Sequence, residues 1–413
     1  MRTRRRLLAD LAAASGSGAA FAAGIVSAAP SLAAAAGARV LTGVDVLVAE
    51  GFAQLSGLRV GVITNQTGRD ALGRRTIDLL RAAPEVRLAA IFSPEHGLNG
   101  DREGRIESAI DAASGLPVHS LYGASRRPTA GMLSSVDALV IDLQDVGARF
   151  FTYVTTMAYA MEAAAQSGLQ VVVLDRPNPI GPAGVRGPML DPALRSFTGY
   201  LAMPVQHAMT IGEVAAMFER ENRVGGRLNV IAMRGYRRDL WFDQTGLAWI
   251  APSPNLRSLD EAILYPGVAL IEGTNVSVGR GTQSPFEIVG APWIDGQALA
   301  KALNGRDLRG VRLDPVQFTP AQDPYAGRLC QGVRITLADR AAFDAPRLGV
   351  ELAAALRRLH PGRFNIEGML GNLGSRESLA ALAAGEDAGA IAATWGPALR
   401  SFEALRANYL LYP

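Results

Sequence analysis

Leu58-Arg59-Val60-Gly61-Val62-Ile63-Thr64-Asn65 is a short, almost unbroken apolar run that ends on polar side chains. A strand covered on both faces has no wet side on which to alternate, so the run predicts an interior strand of a parallel sheet. Outward from it, the spacing predicts a helix over 76–83, a strand over 86–92, a second buried strand over 136–143, a helix over 155–167 and a third buried strand over 170–175. Thr210-Ile211-Gly212-Glu213 has capping-box spacing and opens a helix toward Asn222, with a strand over 228–233 behind it. Repeated alternation of strand and helix specifies an α/β fold with a mostly parallel sheet covered by helices. The Gly/Pro-rich stretch 251–267 marks a change of architecture, and the remainder reads as a smaller mixed α/β domain.

Residues 1–36 differ from everything after them. Arg2, Arg4, Arg5 and Arg6 precede Leu7-Leu8 and an Ala/Gly/Ser-rich stretch ending near Ala36, the charged, apolar and small-residue order of an export signal. Arginines placed between Thr3 and Leu7 give it a twin-arginine character, so the expected location is the periplasm or the medium. Ser15 to Gly18 and Gly24 interrupt the apolar stretch, whereas a membrane span needs about 20 predominantly apolar residues. A cleaved signal, with no membrane association afterwards, is the expectation. The four arginines and Asp10 carry the whole formal net charge of +3, which leaves the remaining chain neutral. Without a basic run interleaved with aromatics, nucleic acid is not an expected partner. Cys330 stands alone, which excludes an intrachain disulfide and a multi-cysteine metal site. The domain plan is therefore a signal over 1–36, a sheet domain over 38–262 and a smaller domain over 263–413.

Four polar clusters fall at or just beyond the C-terminal ends of the predicted strands: Asn65-Gln66, Glu95-His96, Asp142 to Asp145, and Asp175-Arg176. In an open α/β sheet that edge is where ligands bind. Ser93-Pro94-Glu95-His96-Gly97 presents a carboxyl and an imidazole side by side on a Pro/Gly turn, and a partly buried carboxyl there can act as a general acid. The plainer alternative has His96 capping the loop and Glu95 paired with Arg102. Asp142-Leu143-Gln144-Asp145 offers two candidates for a second glycosidase carboxylate, followed by Arg149 as an anion contact and Tyr153 as a stacking or hydrogen-bonding surface. Against that, Arg149 pairing with Asp145 and a purely core role for Phe150-Phe151 would serve the fold alone. Asp175-Arg176-Pro177-Asn178-Pro179 is stiffened by its prolines, either to hold Asp175 and Asn178 over a substrate or simply as an ordered connection.

In order along the chain, 61–68, the Glu95 loop, 142–149, 175–179, Pro252-Ser253-Pro254-Asn255-Leu256 and Glu272-Gly273-Thr274-Asn275 resemble the NamZ family of exo-β-N-acetylmuramidases. The resemblance covers nearly all of the chain after the signal. It implies a Rossmann-like domain and a smaller C-terminal domain that form a cleft, and release of terminal N-acetylmuramic acid from the non-reducing ends of peptidoglycan fragments. It also implies that Glu95 is the general acid, with the second group open between Asp142, Asp145, Asp175, Glu272 and the substrate's own acetamido group. For such a substrate, Arg149, Arg176 or Arg280 suits the lactyl carboxylate, while Asn65, Gln66, Asn255 and Asn275 suit hydroxyls and the acetamide. Turn chemistry accounts equally well for Asn255 and Asn275.

Glu272 to Thr282 is glycine-rich but lacks the Gly-Lys-Ser/Thr ending of a phosphate loop, and Lys301 is the chain's one lysine. A loop closing over the sugar is the better reading. No Gly-x-Ser-x-Gly marks a serine esterase, and no Gly-x-Gly-x-x-Gly follows Asn65, so a dinucleotide and indeed any cofactor is not expected. Histidines at 96, 119, 207 and 360 show no metal-ligand spacing, so a metal-dependent hydrolase is a weaker alternative and no metal is expected. A periplasmic muropeptide- or sugar-binding protein that does not hydrolyse its ligand is the non-enzymatic alternative. Oligomeric state, and retention or inversion at the anomeric carbon, depend on geometry that the sequence does not encode locally.

Overall fold

The computed structural model describes residues 39–322 and 324–413, so the expected export signal lies outside the described residues. Seven strands form the main sheet: β1 (Arg59–Thr64), β2 (Arg87–Ser93), β3 (Ala109–Ile110), β4 (Pro117–Ser120), β5 (Ala138–Asp142), β6 (Gln170–Leu174) and β9 (Arg227–Ile231). A separate two-stranded ribbon, β7 (Arg186–Met189) with β8 (Pro204–Gln206), intervenes before β9. The order is β3-β4-β2-β1-β5-β6-β9, and every neighbouring pair is parallel except β3 with β4. Setting aside the two-residue β3, the six parallel strands follow the 3-2-1-4-5-6 order of a Rossmann fold, with its switch point between β1 and β5.

Side-chain alternation explains why these strands read as continuous apolar runs. On β5, Leu139 and Ile141 enter the core on one face, while Val140 enters the core on the other; Val171 and Val173 of β6 divide from Val172 and Leu174 in the same way. The first face is covered by the helices Tyr153–Gln166 and Ile211–Glu221, the second by Gly43–Ala49 and Thr76–Ala82. Predicted and observed strand bounds agree to within two residues.

The smaller part carries an antiparallel sheet, β10 (Ile288–Ala291), β12 (Cys330–Leu337) and β11 (Val311–Phe318) in that order, with the helices Gly296–Asn304 and Ala345–Leu359 packed on it. Three further helices span 376–406. The stretch expected to mark a change of architecture contains the helix Leu259–Val268, with Pro266 inside it. Its start is fixed by Ser258 and Glu261 in a reciprocal capping box, and full burial of 261–268 outweighs the one ladder bond that the proline removes. The expected boundary at 262/263 thus falls within a helix, which makes the junction stiff. From there the chain end returns to the main sheet, where the Tyr412 hydroxyl donates to Asp175 at 2.5 Å and accepts from the Met233 amide at 2.9 Å. The described residues form one compact unit.

Candidate active site

The C-terminal edge of the sheet and the second domain enclose a cavity of about 410 Å³. Glu95 enters it from the loop after β2. Two consecutive left-handed residues, His96 at φ 70° and Gly97 at φ 76°, turn that loop sharply. The positive φ at His96 is uncommon for a residue other than glycine and is held by two bonds: His96 Nδ1 donates to the Arg102 carbonyl at 2.8 Å, and the Arg102 amide donates to the His96 carbonyl at 3.3 Å. Thr152 Oγ1, at the start of the helix Tyr153–Gln166, donates to Glu95 Oε2 at 2.5 Å. Tyr122 stands against the same carboxylate, and its phenol is pushed up to about 12, first by burial and then by the charge of Glu95.

The second domain contributes Glu272 and Arg280, which bond to each other in the wall of the cavity. Burial opposes the charge of Arg280, but the neighbouring carboxylate of Glu272 holds its pKa above the usual value. Glu103, from the loop beyond Glu95, lies 3.7 Å from Arg280 and accepts from Asn255 Nδ2 at 2.7 Å. Phe150, Phe151, Tyr265, Phe286 and Leu256 supply the apolar lining. The arrangement combines carboxylates from both domains, one fixed cation and an aromatic wall, which suits a polar ligand with an apolar face.

Of the residues singled out from sequence, Glu95, His96, Glu272 and Arg280 therefore meet in one cavity. The others serve the scaffold. Asp142 is fully buried, accepts a two-pronged bond from Arg176 at 2.5 and 2.9 Å and binds Thr76, so it has no face toward a substrate and Arg176 is not free for a lactyl carboxylate. Asp145 is buried against His207 at 3.3 Å and the Gly147 amide at 2.8 Å, rather than paired with Arg149. Arg149 instead donates to the carbonyls of Pro188, Met203, Asn372 and Leu373, tying the sheet domain to the segment before Gly374. Glycine is required there: φ is +64°, and a Cβ would lie 2.3 Å from the Arg149 guanidinium. Asp175 holds the chain end, and Asn178 closes its own turn by accepting from Ile180 and donating to Met209, so the proline-rich loop is an ordered connection.

Asn65 donates to the Tyr153 hydroxyl at 2.8 Å, which itself donates to the Pro252 carbonyl at 2.7 Å; both side chains brace the loops that carry the site. Gln66 donates to Ala251, and Gln144 to Asp145 and Pro177. Gln144 and Arg176 border a separate cavity of about 250 Å³ near the switch point. Asn255 stands behind Glu103, and Asn275 is a hub of the second domain, bonded to Arg363 and Asn365. At the switch point itself Asp142 is bonded to Arg176 and Thr76, and the cavity that holds Glu95 lies toward β2.

Sequence reasoning missed Glu103, Tyr122, Thr152, Tyr265 and Asn372. Thr152 and Tyr265 carried legible signals, the first at a helix start and the second within a capped helix; Glu103 lies in a loop and Asn372 in the one-turn helix Leu370–Leu373, whose positions follow only from tertiary packing. Among the described residues no three His, Cys, Asp or Glu side chains cluster as a metal site would require.

Comparison with known proteins agrees with this architecture. The family model described as exo-β-N-acetylmuramidase NamZ, N-terminal, matches residues 60–260, and its C-terminal counterpart matches residues 263–412. The chain is 40% identical over 383 residues to the peptidoglycan β-N-acetylmuramidase NamZ of Bacillus subtilis (strain 168), covering 91% of this chain and 92% of that one. Two crystal structures of DUF1343 family proteins from Bacteroides fragilis NCTC 9343 are also similar. One has a TM-score of 0.85 at 35% identity, covering 91% of this chain and 99% of its own. The other has a TM-score of 0.75 at 31% identity, covering 90% and 99%. With both halves matched in order over an architecture that the solved relatives share, the chain belongs to the NamZ family of exo-β-N-acetylmuramidases.

Proposed function

We propose that the chain is a glycoside hydrolase that releases terminal β-linked N-acetylmuramic acid from the non-reducing ends of peptidoglycan fragments. The observation that carries this reading is the meeting of Glu95, from the sheet edge, with Glu272 and Arg280, from the second domain, in one cavity. Its volume of about 410 Å³ lies in the small-ligand range of roughly 300–1,000 Å³, which suits one terminal sugar better than a strand running through a groove.

Glu95 is placed to give a proton to the glycosidic oxygen, with the Thr152 hydroxyl fixing one carboxylate oxygen so that the other keeps a constant direction. Of the carboxyls first considered as its partner, Glu272 alone reaches the cavity. As an anion held by Arg280 it stabilises the positive charge that develops at the anomeric carbon. Arg280 is the cavity's lining arginine and the remaining partner for the lactyl carboxylate, since Arg149 and Arg176 are occupied elsewhere. His96, Asp142, Asp145 and Asp175 occupy separate bonding networks, which removes the convergence a metal-dependent hydrolase would need.

Incubation with the disaccharides MurNAc-GlcNAc and GlcNAc-MurNAc tests the reading. Release of N-acetylmuramic acid from the first and no cleavage of the second is expected; tight binding of the first without cleavage would establish a binding protein instead. Export is part of the proposal and is supported by the twin-arginine-like segment 1–36. Fractionation should recover a periplasmic or secreted form whose N-terminus begins near residue 37, and a cytoplasmic full-length chain would contradict it.

A further inference from the structure

Tyr265 is one of the polar side chains in the cavity that the mechanism above leaves unused. It is 7% exposed and lines the cavity, yet among the described residues its hydroxyl has no hydrogen-bond partner. Two other buried phenols are bonded within the protein: Tyr153 to Pro252 at 2.7 Å and Tyr412 to Asp175 at 2.5 Å. The oxygen opens into the cavity rather than being sealed in the interior, so it is free to donate to a ligand atom that takes the place of water there.

The ring itself is immobilised. It meets Phe150 at 5.2 Å and 72°, Phe151 at 6.2 Å and 90°, and Phe286 at 4.9 Å and 76°, edge to face in each case. Together with Leu256 these rings make an apolar recess around one hydroxyl. Burial first, and then the charge of Glu272, keeps the phenol protonated, so it serves as a permanent donor. Among the charges acting on it, Glu272, Glu95 and Asp145 are anionic and Arg280 alone is cationic, which makes this wall a poor place for a second carboxylate such as the lactyl group.

A neutral acceptor joined to a methyl group fits better. We propose that Tyr265, with Phe150, Phe286 and Leu256, forms the recess for the 2-acetamido group, the phenol donating to its carbonyl oxygen while its methyl packs on the rings. Selectivity for an N-acetylated sugar then resides in this wall. The assignment rests on the muramidase reading and adds the residue that reads one substituent.

A thermodynamic cycle tests it with the full chain and two soluble probes, N-acetylmuramic acid and its 2-hydroxy analogue 3-O-lactylglucose. Calorimetry should show that the wild type prefers the N-acetyl sugar, and that Tyr265→Phe, which keeps the ring and its packing, weakens this sugar about five- to tenfold while leaving the analogue nearly unchanged. An unchanged preference, or an equal loss for both sugars, with muraminide hydrolysis by the wild type intact, would overturn the acetamido assignment alone. Binding of neither sugar, together with no hydrolysis by the wild type, would overturn the muramidase reading and this assignment with it.

Discussion

Catalytic competence at the scale of single residues depends on how firmly Glu95 is aimed. Thr152 supplies the hydroxyl that fixes its Oε2, and that hydroxyl touches no other candidate group. Thr152→Val keeps the shape and removes the bond. Because a hydrogen bond to a charged group contributes roughly 1.5–3 kcal/mol, kcat should fall about 10- to 100-fold with KM and thermal midpoint nearly unchanged. A change confined to KM would show that Thr152 binds sugar rather than aims the acid. The Ser93 to Gly97 loop was legible in sequence because Pro and Gly punctuate it, and the reading of His96 as a loop cap was also correct. Asp142 and Asp145 looked equally catalytic in sequence, since a strand-end carboxylate has the same appearance whether it meets a substrate or an arginine. Their partners, Arg176 and His207, lie 34 and 62 residues away in the chain, respectively, and only packing reveals them.

Secondary-structure elements were the most legible level, because β1, β5 and β6 are covered on both faces and carry no polar interruption. The helix Leu259–Val268 was not, since Pro266 and Gly267 drew attention away from the Ser258 and Glu261 capping pair. Arg149 joins elements that local sequence cannot relate: four carbonyls from β7, the segment before β8, and the short helix Leu370–Leu373 converge on one fully buried guanidinium. Replacing it with Met leaves those carbonyls without donors in the interior. Urea unfolding of Arg149→Met should show a loss of about 3 kcal/mol or more. A loss under about 1 kcal/mol would mean that the clasp contributes little to joining the elements.

Across the whole molecule, the returning C-terminus and the buried Asp175 connect the ends of the fold. Burial, working against the Tyr412, Thr210 and Gly212 donors, pushes Asp175 up to about 6. Since that lies above its reference value of 3.8, the stability this group contributes is fully present below pH 3.8 and is lost as pH rises through about 6. The difference in urea stability between wild type and Asp175→Asn should therefore shift against the wild type between about pH 4 and pH 6.5, and a flat difference would contradict the buried titration. Tyr412→Phe should cost roughly 1–3 kcal/mol by removing two bonds at the returning tail. A smaller C-terminal part beside the parallel sheet was legible in the sequence, whereas the tail's return to the first sheet carried no local signal. What the whole fold achieves is to bring Glu95 and Glu272, 177 residues apart, into one cavity. The most direct test of that claim is the rate of hydrolysis of a chromogenic β-N-acetylmuraminide by wild type, Glu95→Gln and Glu272→Gln, each checked for folding. Measurable turnover by the wild type and a loss of about 100- to 10,000-fold in Glu95→Gln, with Glu272→Gln also impaired, is the expected result; equal turnover by wild type and Glu95→Gln would contradict the account.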